Sequence, residues 1–211
     1  MSFNIDSTKL QESLNEFSSY LKQVESSREK LIKENREIIA LSSKAIILLH
    51  SGRTVEATNL INNAFSLLSE LKKYVISDLE RYLWPAEQEY VEATILKEIV
   101  ERKDHLSGHA ELQVSLNAYV TGLLDCIGEI KRMIYDNLRK DNFEASLSLF
   151  TIMQSLYDSI YPFSFYDNII SGVRKKLDVG KRIIDDVRIS ITEEYRRKSF
   201  LDRIDQASIV K

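Results

Sequence analysis

The first fifty residues contain a helical pattern that no proline or glycine interrupts. Apolar residues recur three or four positions apart from Leu10 to Leu49, and the first glycine of the chain is Gly52. This spacing places the apolar side chains on one face of an α-helix. Because an α-helix rises 1.5 Å per residue, the predicted element is roughly 60 Å long. Helices of this length commonly support a bundle or an oligomer.

The rest of the chain also favours helices over strands. Its 211 residues include only 6 glycines and 2 prolines, whereas sheet proteins use these residues in their many turns. Helical spacing continues in segments 54–75, 77–103, 115–138, 142–161 and 166–197, and Asp104 to Val114 is predicted to be a loop. We therefore predict an all-α fold, an antiparallel bundle of six or seven helices, as one domain over residues 1–211. Its core would cover residues 8–198, followed by a flexible tail over residues 199–211.

Charge and cysteine content limit the functions that composition alone can suggest. The formal net charge is −3, so a basic surface for nucleic acid would have to be enclosed within an assembly. The single cysteine, Cys126, cannot form an intrachain disulfide and favours a reducing compartment. The longest apolar run, Ala45 to Leu49, is too short to cross a bilayer. We expect a cytoplasmic protein that does not bind a membrane.

Two pairs of carboxylates are the strongest candidates for chemistry. Glu89 and Glu92 are three residues apart, and Asp125 and Glu129 are four residues apart. Each pair therefore shares one face of its helix. Two helices that each present two carboxylates could build an oxygen-rich site for a hard divalent cation, with positions left for water and phosphate.

The same spacing has an ordinary explanation. Acids at helical spacing usually form a solvated face, and Arg132 could pair with Glu129, three residues before it. Gly122 and Gly128 flank the second pair and favour a functional interpretation, because they would let a backbone or a substrate come close. Spacing alone leaves both explanations open.

Basic residues on the first helix form a candidate surface for nucleic acid. Three of them are eleven residues apart, a spacing that returns to nearly the same angular position, and two more flank the row. The five residues are Lys22, Lys30, Lys33, Arg36 and Lys44. The row could follow the phosphates of a duplex, or it could form ion pairs with the glutamates that lie between its members. A second basic cluster, Arg174 to Lys176, has the same two explanations.

Several blocks of the sequence resemble the translin family, in particular its Trax branch. The similar blocks are Arg28 to Lys33, Ser43 to His50, Gln88 to Ala93, Tyr119 to Met133, and the long helix from about Tyr166 to Arg197. The resemblance covers residues 12–198 and is most specific at the two acidic blocks. It implies the α-superhelix of that family and a hollow, octameric shell that encloses short RNA.

The resemblance also implies an activity. In Trax-like proteins, the acids that match Glu89, Glu92, Asp125 and Glu129 hold a divalent metal at an RNA-cleaving centre. We therefore expect a Mg²⁺-dependent (or Mn²⁺-dependent) endoribonuclease subunit that acts on single-stranded RNA or a short duplex. The alternative is a non-catalytic protein that only binds single-stranded DNA or RNA, as translin does.

The assembly and source are also expectations from the resemblance. A homo-octamer and a hetero-oligomer with a translin-like subunit both fit it. Because this sequence lacks the basic N-terminal extension and the long third-to-fourth-helix loop of eukaryotic Trax, we expect a minimal form from a prokaryote or an archaeon.

Overall fold

The long first helix dominates the architecture of the chain. A computed structural model describes residues 7–209, with side chains for residues 7–204. The first helix, α1, spans Thr8–His50, and its first fully buried side chain is Leu31. The N-terminal half of α1 therefore exposes its side chains, whereas the C-terminal half packs into the bundle. Gly52 follows with φ of +74°, a left-handed conformation in which the chain can reverse. The predicted long helix is confirmed.

Every regular element within residues 7–209 is helical. After α1 come α2 (Thr54–Leu71), α3 (Trp84–Val100), α4 (His109–Leu112), α5 (Leu116–Leu138), α6 (Phe143–Ile160) and α7 (Val173–Ile209). Short 3₁₀ segments lie at Lys72–Tyr74, Leu79–Tyr82 and Tyr161–Tyr166. Helix α1 packs against α2 and α3, α3 packs against α5, and α5 packs against α6 and α7. The predicted all-α bundle is confirmed. No helix in the described range has both the length and the apolar character needed to cross a membrane.

Helices α3 and α5 lie at the centre of the bundle. One contiguous apolar core joins the long helices, with fully buried side chains from five of them: Leu31, Leu68, Leu96, Ile127 and Met153. Burial of each such side chain contributes about 1.5–3 kcal/mol relative to exposure. Every residue from Tyr90 to Leu96 of α3 is buried, so any charge in that segment needs a compensating partner.

The structure differs from the sequence prediction at several boundaries. The predicted loop from Asp104 to Val114 contains the helix α4, which has only four residues and so no periodicity that a sequence could display. Helix α3 ends at Val100 rather than Lys103, because Arg102 adopts a left-handed conformation with φ of +55°. Helix α7 begins at Val173 rather than Tyr166, because the 3₁₀ segment Tyr161–Tyr166 and a turn at Gly172, with φ of +76°, precede it. It continues to Ile209 through most of the predicted tail, and residues 210–211 lie outside the described range.

Candidate metal centre

The four predicted acids lie where α3 packs against α5, and a glycine permits this contact. A Cβ atom built on Gly122 would lie 2.7 Å from the backbone oxygen of Gln88 and 2.9 Å from the side chain of Val91. Real Cβ atoms do not approach backbone this closely, so the two helices need glycine at position 122. The prediction that Gly122 admits a neighbouring backbone is confirmed. The corresponding position on Gly128 has no described atom within 4 Å.

Glu92 is the most buried of the four acids, with 8% of its surface exposed. Burial, together with the negative charges of Asp125, Glu89 and Glu129, raises the pKa of Glu92 from its ordinary 4.5 to about 8. The other three carboxylates therefore lie within electrostatic reach of Glu92. Near neutral pH, Glu92 keeps its proton when no cation is near it.

Glu92 differs from the other two buried glutamates of α3. The Glu87 carboxylate accepts hydrogen bonds from the backbone and hydroxyl of Ser115, at 3.1 and 2.7 Å. The Glu98 carboxylate accepts from the backbone and hydroxyl of Ser107, at 2.8 and 2.6 Å. These two acids have a structural role, because their hydrogen bonds connect α3 to the segments immediately before and after α4. Within the described residues, no hydrogen bond or ion pair reaches the carboxylate of Glu92.

Glu89 and Asp125 are held by polar groups of the chain itself. The Ser43 hydroxyl of α1 donates to Glu89 Oε2 at 3.0 Å. The Gln88 amide donates to Asp125 Oδ2 at 2.7 Å. Lys176 of α7 donates from Nζ to both oxygens of Asp125, at 2.6 Å from Oδ2. Four helices (α1, α3, α5 and α7) thus contribute to the surroundings of the acids.

Glu129 is held by the residue that ends α1. His50 donates from Nε2 to Glu129 Oε2 and lowers the pKa of that carboxyl, with a smaller effect from Arg132. The ion pair of Arg132 with Glu129, foreseen from their spacing, is present at 3.9 Å. Glu129 is therefore ionised near neutral pH. The two acids of α5 and Glu89 of α3 are oriented by the chain, whereas Glu92 is not.

The four carboxylates suit a hard divalent cation in their chemistry, although they are not arranged around a single metal position. In this conformation, no three His, Cys, Asp or Glu side chains of the described residues are placed to hold one metal ion. Four carboxylates nevertheless supply the oxygen ligands that Mg²⁺ prefers. A cation would also compensate the buried, unpartnered carboxylate of Glu92. The residues therefore fit a divalent metal in their chemistry.

The basic row of α1 is largely available to a ligand. Four of its members are exposed and form no ion pair or hydrogen bond within the described residues: Lys22, Lys33, Arg36 and Lys44. Lys30 is engaged, because its Nζ lies 3.7 Å from Glu34 and 3.5 Å from the centre of the Tyr74 ring. Arg36 precedes Ser43 by seven residues, which places it on the same face of α1, roughly 10 Å away along the axis.

Cys126 belongs to the core, as expected from its apolar neighbours. Its side chain is fully buried, and its Sγ donates to the backbone oxygen of Glu92 at 3.4 Å. Burial raises the pKa of the Cys126 thiol well above its ordinary value, so it is not a nucleophile.

Sequence analysis did not assign the residues that hold the acids. Ser43 and Gln88 have no distinctive spacing, and Lys176 is 51 positions away from Asp125. For His50, which ends α1, only an interaction with the helix dipole is predicted from its position. The available signal was that Ser43, His50, Gln88 and Lys176 all lie within blocks that resemble a known family.

Comparisons with known proteins agree with this architecture. A model of the translin family matches residues 26–187. A protein of Methanocaldococcus jannaschii, "Uncharacterized protein MJ0175", is 25% identical over 199 residues, which are 90% of this chain and 88% of that protein.

Solved structures of C3PO are also similar. The AfC3PO–duplex RNA complex matches with a TM-score of 0.80 and 28% identity, over 86% of this chain and 95% of that chain. The crystal structure of AfC3PO matches with 0.78 and 30% identity, over 86% and 96%. Apo-NeC3PO, at 21% identity and a TM-score of 0.64 over 90% and 98%, shares the fold. Because the family model matches well over half of its length, this chain belongs to the translin family.

Proposed function

We propose that this chain is a catalytic subunit of a C3PO-like oligomer and hydrolyses RNA with a divalent metal. The observation that carries the proposal is Glu92, a residue that is only 8% exposed, lies within electrostatic reach of three other carboxylates, and has no hydrogen bond or ion pair to its carboxylate in the described residues. A buried, unpaired carboxylate destabilises a fold, and such groups concentrate at functional sites. RNA is proposed as the substrate because AfC3PO, which this chain resembles over 86% of its length, has been solved with duplex RNA.

The four carboxylates have distinct roles in this proposal. Glu89, Glu92 and Asp125 would hold Mg²⁺ or Mn²⁺, and Glu129 would be a further ligand or would orient the attacking water. A bound metal of this kind supplies an acidic coordinated water and neutralises charge on the phosphate oxygens. Glu129 is ionised near neutral pH because His50 donates to it, so its carboxylate can accept a proton from water.

The basic row of α1 would position the RNA backbone. Arg36 lies on the Ser43 face of α1, and Lys33 and Lys44 are exposed on neighbouring turns. Contacts of lysine and arginine with phosphates carry little sequence information and weaken as salt increases. We therefore propose single-stranded RNA and short duplexes as ligands, with single-stranded DNA as a further one.

We also propose that the chain assembles with copies of itself through the N-terminal half of α1. Four apolar side chains on this half are spaced by four, three and four residues: Leu10, Leu14, Phe17 and Leu21, which together form the α1 stripe. They are 62%, 51%, 57% and 48% exposed. This spacing is typical of a seam between paired helices. A closed octamer is the assembly that the family resemblance implies.

The residues beside the α1 stripe favour an identical copy as the partner. The flanking seam positions carry only uncharged side chains: Gln11, Ser13, Ser18 and Tyr20. Like charges at these positions commonly prevent a helix from pairing with its own copy. Because none is present here, two identical stripes can face each other without repulsion.

Adding charge to the α1 stripe is expected to dissociate the assembly. In native mass spectrometry, the parent protein should give a multiple of the 24.4 kDa chain, and the double variant Leu14→Asp/Phe17→Asp should shift toward 24.4 kDa. The matched control, Asn15→Asp/Ser19→Asp, adds the same charge outside the stripe and should keep the parent mass. A parent mass of 24.4 kDa would contradict self-assembly, and an unchanged double variant would exclude this surface.

Removal of divalent metal tests the proposed activity. Purified protein with Mg²⁺ should cleave a labelled single-stranded RNA, and EDTA should stop cleavage while RNA binding persists. Mn²⁺ should restore the activity. RNA binding that is salt-sensitive, indifferent to EDTA and without cleavage in Mg²⁺ would instead identify a non-catalytic binding protein.

A further inference from the structure

Lys176 is the one basic residue of the described range that contacts Asp125. Its Nζ donates to both carboxylate oxygens, at 2.6 Å from Oδ2. Its charge also opposes the effect of the neighbouring carboxylates on Glu92. The ammonium group of Lys176 thus partly compensates the negative charge of the acids, as a divalent cation would.

The ion pair between Lys176 and Asp125 is open to exchange. Their side chains are 30% and 28% exposed, and ion pairs with this access to water contribute little to stability. Gln88 would still hold Asp125 after the lysine leaves, since its amide donates independently to Oδ2 at 2.7 Å. A competing cation could therefore take the place of the ammonium group without releasing Asp125 from α3.

The position of Lys176 in α7 also favours an anionic ligand. Helix α7 begins at Val173 with three consecutive basic residues, 174–176, and without an acid in its first turn. Cations at the N-terminus of a helix oppose the helix dipole, so this turn gains from any anion bound nearby. The Asp167 carboxylate accepts from the backbone N–H of Arg174 at 3.0 Å and so supplies one anion to this turn, whereas Asp125 is the anion that Lys176 itself contacts. The lysine would need another anion if a metal bound Asp125.

We propose that Lys176 is an internal counter-ion that competes with the divalent cation for Asp125 and, once displaced, binds the phosphate of the RNA. The inference rests on the proposed function, because it requires a cation at the four carboxylates. It accounts for the open donor set: Asp125 is directed toward Lys176, and no metal ligand set is formed within the described residues.

Mn²⁺ affinity, followed through the electron paramagnetic resonance signal of the free ion, tests the competition. Lys176→Met is expected to lower the Kd for Mn²⁺ on the order of tenfold, because the metal no longer has to displace an ammonium group. If the lysine only supported the site, its loss would weaken Mn²⁺ binding. At saturating Mn²⁺, the same variant should cleave RNA on the order of tenfold more slowly, since a phosphate contact is lost.

Two control variants separate the possible outcomes. Lys175→Met removes an adjacent, exposed charge that has no contact with the acids, and should bind Mn²⁺ as the parent does. Lys176→Arg retains the positive charge and should not gain affinity. Unchanged or weaker Mn²⁺ binding by Lys176→Met, with binding by the parent intact, would overturn the competition. Unchanged cleavage at saturating Mn²⁺ would overturn the phosphate contact. If neither parent nor Lys176→Met bound Mn²⁺, the proposed function itself would be wrong.

Discussion

Asp125→Asn is expected to reduce Mg²⁺-dependent RNA cleavage by about a hundredfold or more, because a neutral amide is a poor ligand for a hard cation. The substitution keeps the shape of the side chain, and the amide oxygen of asparagine can still accept from Gln88. The fold should therefore survive, so that the loss can be assigned to the site. Glu89→Gln is expected to have a similar effect, with Ser43 still able to donate to the new side chain.

Glu101→Gln provides the matched control for this prediction. Glu101 follows the last residue of α3, pairs with Lys97 at 3.3 Å, and is twelve positions beyond Glu89. Its variant should cleave at the parent rate. Cleavage should be measured under single-turnover conditions at saturating Mg²⁺, with the melting temperature of each variant recorded beside it. If Asp125→Asn cleaves as fast as the parent while EDTA still stops the reaction, the metal lies elsewhere in the assembly.

The architecture was predictable wherever helices are long. A run of 43 residues in α1 repeats its apolar spacing many times, so the signal accumulates and the element is unambiguous. Shorter elements lack this repetition. Helix α4 has four residues, barely one turn, and the 3₁₀ segment Leu79–Tyr82 is equally short, so their sequences resemble loops.

The spacing of the acids predicted each of the two carboxylate pairs, but not that the two pairs lie together. Spacing places Glu89 with Glu92 on one helix and Asp125 with Glu129 on another, since neighbours on a helical face are three or four residues apart. That α3 packs against α5 depends on the tertiary fold, and only Gly122 hinted at a close approach. Lys176 shares no periodicity with the acids, because α7 folds back onto α5 from 51 positions away.

The buried state of Glu92 could not be foreseen at all. Glu87 and Glu98 are buried on the same helix as Glu92, and the sequence alone does not distinguish the three glutamates. Only the structure distinguishes them, because Ser115 and Ser107 reach two of these carboxylates and no described side chain reaches the third. The lack of a partner, rather than burial alone, therefore distinguishes Glu92 energetically from the two structural glutamates.

Glu92→Gln is expected to stabilise the metal-free protein by an amount that grows as pH rises from 4.5 to about 8. The pKa of Glu92 is about 8 in the folded protein and near 4.5 when unfolded. Between these values the unfolded chain releases the proton and the folded protein keeps it, so unfolding becomes more favourable as pH rises, by at most about 1.4 kcal/mol per pH unit from this group. Above about pH 8 both states are ionised and the dependence ends.

Glutamine mimics the protonated glutamic acid and does not titrate. The variant should therefore match the parent near pH 5 and exceed it by a few kcal/mol near pH 9, measured by urea unfolding at one protein concentration because assembly also affects stability. Glu101→Gln is the matched control, because it removes a carboxylate that pairs with Lys97 outside the acid cluster. A difference between variant and parent that stays constant from pH 5 to pH 9 would contradict the raised pKa. Saturating Mg²⁺ should narrow the difference near pH 9, because the cation stabilises the ionised carboxylate of the parent, while the same variant loses RNA cleavage. If replacing Glu92 both stabilises the metal-free protein and abolishes cleavage, this carboxylate serves metal binding and not the stability of the fold.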